Sequence, residues 1–206
     1  MAPGQLDLFG GRGSGGAAAP DWPEGLGYRA DLISPDEEQA LTARMAELPF
    51  RAFEFQGFLG NRRTVSYGLH YEFNGSGLHE AEPMPEWLLP IRDRAAAWAG
   101  LAGEALRHVL LTEYAPGAGI GWHRDRPVFE DVVGLSLLAP ARLRFRRKAG
   151  ERWERKAVTA EPRSAYLLRG PAREEWQHSI AAMEALRYSI TFRSLRADAS
   201  LAVRPA

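Results

Sequence analysis

Between residues 108 and 193 the chain breaks into short apolar segments separated by glycine and proline, and this spacing narrows the available folds more than any other feature. The segments 108–114 (HVLLTEY), 132–138 (VVGLSLL), 142–147 (RLRFRR), 153–159 (WERKAVT), 164–169 (SAYLLR) and 187–193 (RYSITFR) are too short for helices. They carry β-branched and aromatic residues between turn signals, so they read as strands. RLRFRR alternates fully, with Leu143 and Phe145 expected to face inward and Arg142, Arg144 and Arg146 outward. Upstream the pattern is helical. Ser34-Pro35-Asp36-Glu37 combines a serine N-cap, a proline at the first helical position and a glutamate that completes a capping box. That helix runs through Leu41, Met45 and Leu48 until Pro49 stops it. A second stretch, Glu86 to Ala99, is helical in composition, with Pro90 expected to kink it or delay its start, and Gly100 and Gly103 after it. Two helices followed by six or more short strands predict an α+β architecture, with helices buttressing a β-sandwich or jelly roll.

The chain has 206 residues, enough for one domain with a real core. Residues 10–20, GGRGSGGAAAP, lack the apolar surface needed to order themselves, so residues 1–20 are expected to be a disordered tail and 21–206 the folded domain. Twenty-six basic residues balance twenty-six acidic ones, so any nucleic-acid affinity must come from a local basic surface. The absence of cysteine excludes disulfides, iron–sulfur clusters and thiolate metal sites. No segment reaches the ~20 apolar residues of a membrane span, and no leader pattern opens the chain, so a cytoplasmic location is the expectation.

Chemistry enters at His123-Arg124-Asp125. Residues two apart in extended backbone point to one side, so this imidazole and carboxylate can reach one metal ion. Alone, the pair is a weak signal that reads first as a surface His and Asp on a turn. His178 offers a third ligand, and two histidines with one carboxylate on one face leave the opposite face open for dioxygen and a chelating co-substrate. In Arg187-Tyr188-Ser189-Ile190-Thr191-Phe192-Arg193 the apolar residues share one strand face, and the arginines, Ser189 and Thr191 share the other. That polar face looks either to solvent or into a cavity holding a dicarboxylate, for which arginine is a planar, permanently charged fork.

Taken together, Tyr114-Ala115-Pro116-Gly117, Ile120-Gly121-Trp122-His123-Arg124-Asp125, the distant His178 and Arg187 to Arg193 resemble the AlkB family of nucleic-acid dealkylases over roughly residues 25–195. The resemblance implies a double-stranded β-helix (jelly roll) with N-terminal buttressing helices and a substrate lid. It implies iron(II) on His123, Asp125 and His178, and 2-oxoglutarate with its far carboxylate on Arg187 and the Tyr114 hydroxyl. Arg193 would then stand near the iron-chelating end. The reaction implied is oxidative removal of N-alkyl groups from nucleic-acid bases, consuming dioxygen and releasing succinate, CO₂ and formaldehyde.

The lid resemblance rests on Asn61-Arg62-Arg63-Thr64-Val65-Ser66-Tyr67-Gly68 and Leu69 to Phe73. By it, Tyr67 and Tyr71 would stack on the base, and Arg62 or Arg63 would contact phosphate; for a tyrosine in a strand, half-buried packing is the other reading. The strip Arg142 to Lys156, with eight basic residues against two acidic, is the candidate for backbone binding, or else a solvated strand face. Three positions depart from the family pattern. Thr112 and Ser189 stand where asparagine is usual, which would retune co-substrate binding. Arg126-Pro127 stands where DNA-acting members carry an acidic residue that recognises a cationic base, leaving Glu130 or Asp131 to substitute or the substrate uncharged. Gln5-Leu6-Asp7-Leu8-Phe9 resembles the peptide by which bacterial repair proteins dock on the sliding clamp. His70 sits in the lid strand, where lining the substrate pocket is one reading; otherwise His70, His79 and His108 read as ordinary surface or packing residues.

Two classes of function follow. One is an oxygenase, acting on alkylated DNA or RNA or on a non-nucleic-acid substrate, and expected to be monomeric. The other is a non-catalytic nucleic-acid-binding jelly roll, which would not need all five of His123, Asp125, His178, Arg187 and Arg193.

Overall fold

The computed structural model describes residues 20–55, 58–72 and 77–199, and among these the side chains of all but 53–55, 58–60, 70–72, 77 and 78. The Gln5–Phe9 peptide, the Tyr71 side chain and the His70 side chain therefore lie outside the described residues. Strand β1 (Leu26–Arg29) is followed by helix α1 (Pro35–Ala46), β2 (Arg51–Phe55), β3 (Phe58–Tyr67), β4 (Leu69–Glu72) and β5 (Gly77–Glu80). Helix α2 (Leu89–Ala99) then precedes β6 (Leu106–Tyr114), β7 (Ile120–His123), β8 (Phe129–Leu137), β9 (Ala141–Ala149), β10 (Arg152–Ala160) and β11 (Ala165–Leu168). A short helix α3 (Pro171–Glu174), β12 (Gln177–Ile180) and β13 (Arg187–Leu195) complete the order.

From β6 onward, successive strands are dealt out to two antiparallel sheets. The larger runs β1-β11-β8-β13-β6-β3-β2 and the smaller β10-β9-β12-β7. Four strands of the larger sheet, β11, β8, β13 and β6, face the four of the smaller, which is the jelly roll expected from the strand spacing. The segment expected to be a lid is in large part β3, a full strand of the larger sheet beside β6, with β4 and β5 forming a separate hairpin.

Two cores flank the larger sheet. On its outer face Val109, Leu111, Val133, Leu135, Tyr188, Ile190 and Phe192 pack on Leu41 and Met45 of α1 and Ile91, Ala95 and Ala96 of α2. Between the sheets lie Leu143, Phe145, Val158, Tyr166, Trp176 and Ile180. The capping box is formed: the Ser34 hydroxyl accepts from the Glu37 amide at 3.2 Å and the Glu37 carboxylate from the Ser34 amide at 2.8 Å. Glu37 also accepts from both terminal nitrogens of Arg94 at 2.7 and 2.8 Å, tying α1 to α2. Pro90 delays rather than kinks the second helix. A 3₁₀ turn spans Glu86–Leu88, α2 proper begins with proline in its first turn, and Gly100 caps it in the left-handed conformation. Leu143 and Phe145 are buried and Arg142 exposed, as the alternation requires.

Candidate iron and co-substrate site

His123 ends β7 and His178 sits in β12, and these two strands pair with the histidines directly opposite one another. Their rings lie with centroids 4.2 Å apart on the face turned toward the larger sheet. Two residues beyond His123, Asp125 brings an oxygen to 3.6 Å from the His178 Nε2. The three expected iron ligands are therefore assembled in one place, from residues separated by more than fifty positions in sequence.

Their protonation states suit a metal. His123 Nδ1 lies 2.9 Å from the Gly121 carbonyl oxygen; only a protonated Nδ1 can bond there, which leaves Nε2 with its lone pair free. Burial pushes His178 down to about 3, with His123 adding to the effect, and burial lowers His123 as well. Burial alone would raise the Asp125 carboxyl, but Arg193, His178 and His123 outweigh it and hold it well below the ordinary range. Two neutral imidazoles and a carboxylate are the donor set an iron(II) site needs. Among the described residues, no three such side chains stand close enough to form a ready-made metal cage; Asp125 Oδ1 is held by Arg193, whose Nε and terminal nitrogen lie at 2.9 and 2.7 Å, while Oδ2 faces His178.

The polar face of β13 looks into the interior between the sheets, not to solvent: the strand is buried from Arg187 through Ser194. Arg187 is 0% exposed. Its Nε donates to the Ser136 hydroxyl at 3.0 Å and its guanidinium lies 5.1 Å from the Tyr114 ring centroid. Both terminal nitrogens are buried without a hydrogen-bond partner. A permanently charged fork held open in a dry interior is unfavourable unless an anion completes it, and a carboxylate matches it in geometry and charge. Register sets Tyr114 opposite Arg187, and Thr112, Ser189 and Ser136 abreast across β6, β13 and β8. The same pocket thus carries hydroxyls beside the cation.

A model of the 2OG-Fe(II) oxygenase superfamily matches residues 28–193. Among curated proteins, the chain is 33% identical over 111 residues to the probable RNA/DNA demethylase ALKBH6 of Danio rerio, covering 54% of this chain and 45% of that protein. It is 30% identical over 184 residues to the alkylated DNA repair protein ALKBH8 homolog of Arabidopsis thaliana, covering 76% and 50%. It is 30% identical over 179 residues to the mitochondrial alpha-ketoglutarate-dependent dioxygenase alkB homolog 7 of Bos taurus, covering 82% and 73%. The chain belongs to the AlkB family of 2-oxoglutarate- and iron(II)-dependent oxygenases. It spans about half the length of the first two relatives. The fold agrees with that of OsALKBH1, at a TM-score of 0.60 with 15% identity, over 86% of this chain and all of the other. The cofactor set of the family is iron(II), with 2-oxoglutarate and dioxygen as co-substrates.

Within this AlkB-family domain, several residues join the site that the sequence did not mark. Ser136 accepts from Arg187, and His108 Nδ1 lies 3.3 Å from an Arg193 nitrogen. Tyr166 fills the space over Gly134, where a Cβ would meet its ring at 2.1 Å, and burial raises its pKa. A glycine inside an otherwise bulky strand is the one sequence signal for such a close approach. Arg173 is buried and donates to the Phe129 and Arg126 carbonyls, holding the loop that follows Asp125.

The lid residues divide. Arg63 is committed to Glu113, with bonds of 2.7 and 2.9 Å, and shares the helix-side face of the sheet, so it is not placed to contact a substrate. Tyr67 is 6% exposed within the helix-side core, which removes it from base stacking: alternation along β3 puts residues 63, 65 and 67 on that side. Arg62 points the other way, half-buried and within the field of His123 and Tyr114. Asp131 cannot serve as the missing acidic residue, because Arg169 binds both its oxygens at 2.8 and 2.7 Å.

Proposed function

We propose that this chain is a dioxygenase that removes N-alkyl groups from nucleic-acid bases. The observation that carries the reading is the joint one: two histidines and a carboxylate brought together on the inner face of the smaller sheet, and on the facing strand a buried Arg187 whose terminal nitrogens lack a partner. A binding-only jelly roll has no use for an uncompensated guanidinium in its core. The curated relatives named for RNA/DNA demethylation and alkylated DNA repair support nucleic acid as the substrate class.

In this reading His123 Nε2, His178 and Asp125 hold iron(II). When bound, the metal with dioxygen and 2-oxoglutarate supplies the oxidising chemistry, and 2-oxoglutarate leaves as succinate and CO₂. Arg187, seated on the Tyr114 ring and braced by Ser136, anchors the far carboxylate of the co-substrate; Thr112 and Ser189 line the same row. Arg193 lies at the iron end and balances the Asp125 charge. Arg193 engages only Oδ1 of Asp125, and Oδ2 is turned toward His178, so Oδ2 is the carboxylate atom that would meet the metal. The alkyl group, once hydroxylated, departs as an aldehyde, formaldehyde for a methyl group, and leaves the base restored. Arg62 borders the substrate side.

The test is mass spectrometry of methylated single-stranded DNA and RNA oligonucleotides incubated with the protein, iron(II), ascorbate and 2-oxoglutarate, with His123→Ala as control. Loss of the methyl mass that needs both 2-oxoglutarate and His123 is the expected result. Succinate formed without any loss of methyl from either polymer would move the oxygenase to another substrate class. No turnover at all would remove the catalytic reading.

A further inference from the structure

The outer face of the smaller sheet, away from the iron site, carries a second arrangement of charge and aromatic surface. Register places Arg142, Arg144, Arg146 and Lys148 of β9 on that face, opposite Thr159, Ala157, Arg155 and Trp153 of β10. Trp122 of β7 reaches it from the other side. The Arg146 guanidinium lies between two indoles, 4.5 Å from the Trp122 centroid and 4.4 Å from that of Trp153. Arg144 stands 5.3 Å from the Trp122 centroid and Lys148 5.0 Å from that of Trp153. Arg144 is aligned by the Ser179 hydroxyl at 3.1 Å and Arg146 by the Gln177 carbonyl at 2.8 Å.

The charge on this face is unneutralised. Of the acidic residues nearby, Glu154 and Glu175 pair with Arg147, and Asp21 with Lys156. Among the described residues, Arg142, Arg144, Arg146, Lys148 and Arg155 pair with no carboxylate. A groove of about 500 Å³ opens at this face, with Asp21, Trp122, Arg142, Arg144, Arg155 and Lys156 among its lining residues. On a chain of zero net charge, such a concentration is a built feature of one surface.

We propose that this face binds the backbone of a single-stranded nucleic acid, an inference that rests on the dealkylase reading for its choice of polyanion. Alternating guanidinium groups and indoles match a single strand, whose phosphates alternate with stackable bases. A duplex would offer phosphates but no open base faces to the two tryptophans. Trp122 directly precedes His123 on the edge strand β7, so one strand's thickness separates the groove from the iron ligands. A strand held here passes beside the site that acts on its bases.

The experiment is fluorescence anisotropy of a labelled, unmethylated 20-nucleotide oligothymidylate, titrated with the full chain across a salt series. Arg142→Gln combined with Arg155→Gln changes two exposed side chains, and a thermal melt checks folding. Each phosphate contact contributes about 0.7 to the slope of log affinity against log salt for single strands, so the double variant is expected to lose about 1.4 from that slope. Arg142→Lys combined with Arg155→Lys should keep most of it. Wild-type affinity and slope in a folded double glutamine variant would overturn the proposal, as would equal competition by poly-glutamate of matched charge. The two readings fail separately. Wild-type protein that binds the strand through this face but dealkylates no oligonucleotide keeps the groove and loses the dealkylase; dealkylation with unaltered binding in the variant does the reverse.

Discussion

Replacing Arg187 by methionine separates a ligand anchor from a structural residue, because the two roles change stability in opposite directions. In the metal-free and co-substrate-free protein, Arg187 is wholly buried, with a single hydrogen bond to Ser136 and two terminal nitrogens left unpaired. Methionine of similar length removes a buried, uncompensated charge, while costing one side-chain bond worth about 1.5–3 kcal/mol for a charged donor and the Tyr114 ring contact, about 1–2 kcal/mol. Relief of desolvation is of the same order or larger, so the empty variant should melt within a few degrees of wild type, or above it. Co-substrate binding should behave quite differently. Breaking a buried bidentate pair from one side costs about 3–5 kcal/mol, which is about two to three and a half powers of ten in affinity. Calorimetric titration of 2-oxoglutarate into the metal-loaded protein, beside a thermal melt of the empty one, reads both quantities. A variant that is several kcal/mol less stable yet binds 2-oxoglutarate as wild type does would refute the argument, since Arg187 would then be a structural brace.

Four further outcomes are expected. Asp125→Asn should abolish succinate production while leaving the fold intact, because it removes the anionic metal ligand; unchanged turnover would exclude Asp125 as a ligand. Arg62→Ala should raise KM for an oligonucleotide substrate, whereas Arg63→Ala should leave KM alone and cost at most about 1 kcal/mol in a denaturant melt, its partner Glu113 being reached from a half-exposed side chain. Glu37 is lowered from 4.5 to about 2, chiefly by its bond to Arg94 and then by the Ser34 amide. It is a depressed carboxylate, so its contribution is complete above about pH 4.5 and fades as pH falls toward 2. Melts of wild type and Arg94→Met should therefore differ at pH 6 and converge near pH 2, by a modest amount for so exposed a pair. Finally, calorimetry with purified bacterial sliding clamp should show binding that is lost on replacing Leu8 and Phe9 by alanine.

How much of this was legible in the sequence depended on whether a signal was local. The capping box at Ser34 and Glu37, the delay at Pro90 and the alternation of RLRFRR all act within a few residues, and each appears where expected. The short strands β7 (IGWH) and β12 (QHSI) carry no apolar run of their own, so they escape a periodicity argument, yet they are what sets His123 opposite His178. The polar face of β13 could be read, but not whether it faced water or a cavity. That depended on the smaller sheet closing over it. Arg62, Arg63 and Tyr67 show the remaining gap. Which of two adjacent arginines faces the site is a question of strand parity, and parity is fixed by the pairing of Arg63 with Glu113 across β3 and β6, fifty residues apart in sequence.

On the dealkylase reading, the charge around the site bears on which base it would accept. Asp131, a candidate to recognise a cationic base, is held on both oxygens by Arg169, and Glu130 is exposed, with its field acting on Arg169 and Arg196. The cations Arg62, Arg173 and Arg193 act on the triad, and Arg187 acts with Arg193 on the adjoining Tyr166. A positively charged base entering this field would be disfavoured, and like-charge juxtaposition in a dry pocket costs several kcal/mol. Adenine methylated on its exocyclic nitrogen is neutral, whereas methylation at ring N1 of adenine or N3 of cytosine leaves a cation at neutral pH. The expected outcome is a preference for the neutral lesion, by about tenfold or more in kcat/KM for each 1.4 kcal/mol of that repulsion. Competition between oligonucleotides of identical sequence that differ only in the methylated atom measures it directly. A preference for the cationic bases would refute this electrostatic argument and mean that Arg126-Pro127 leaves recognition of positive charge intact.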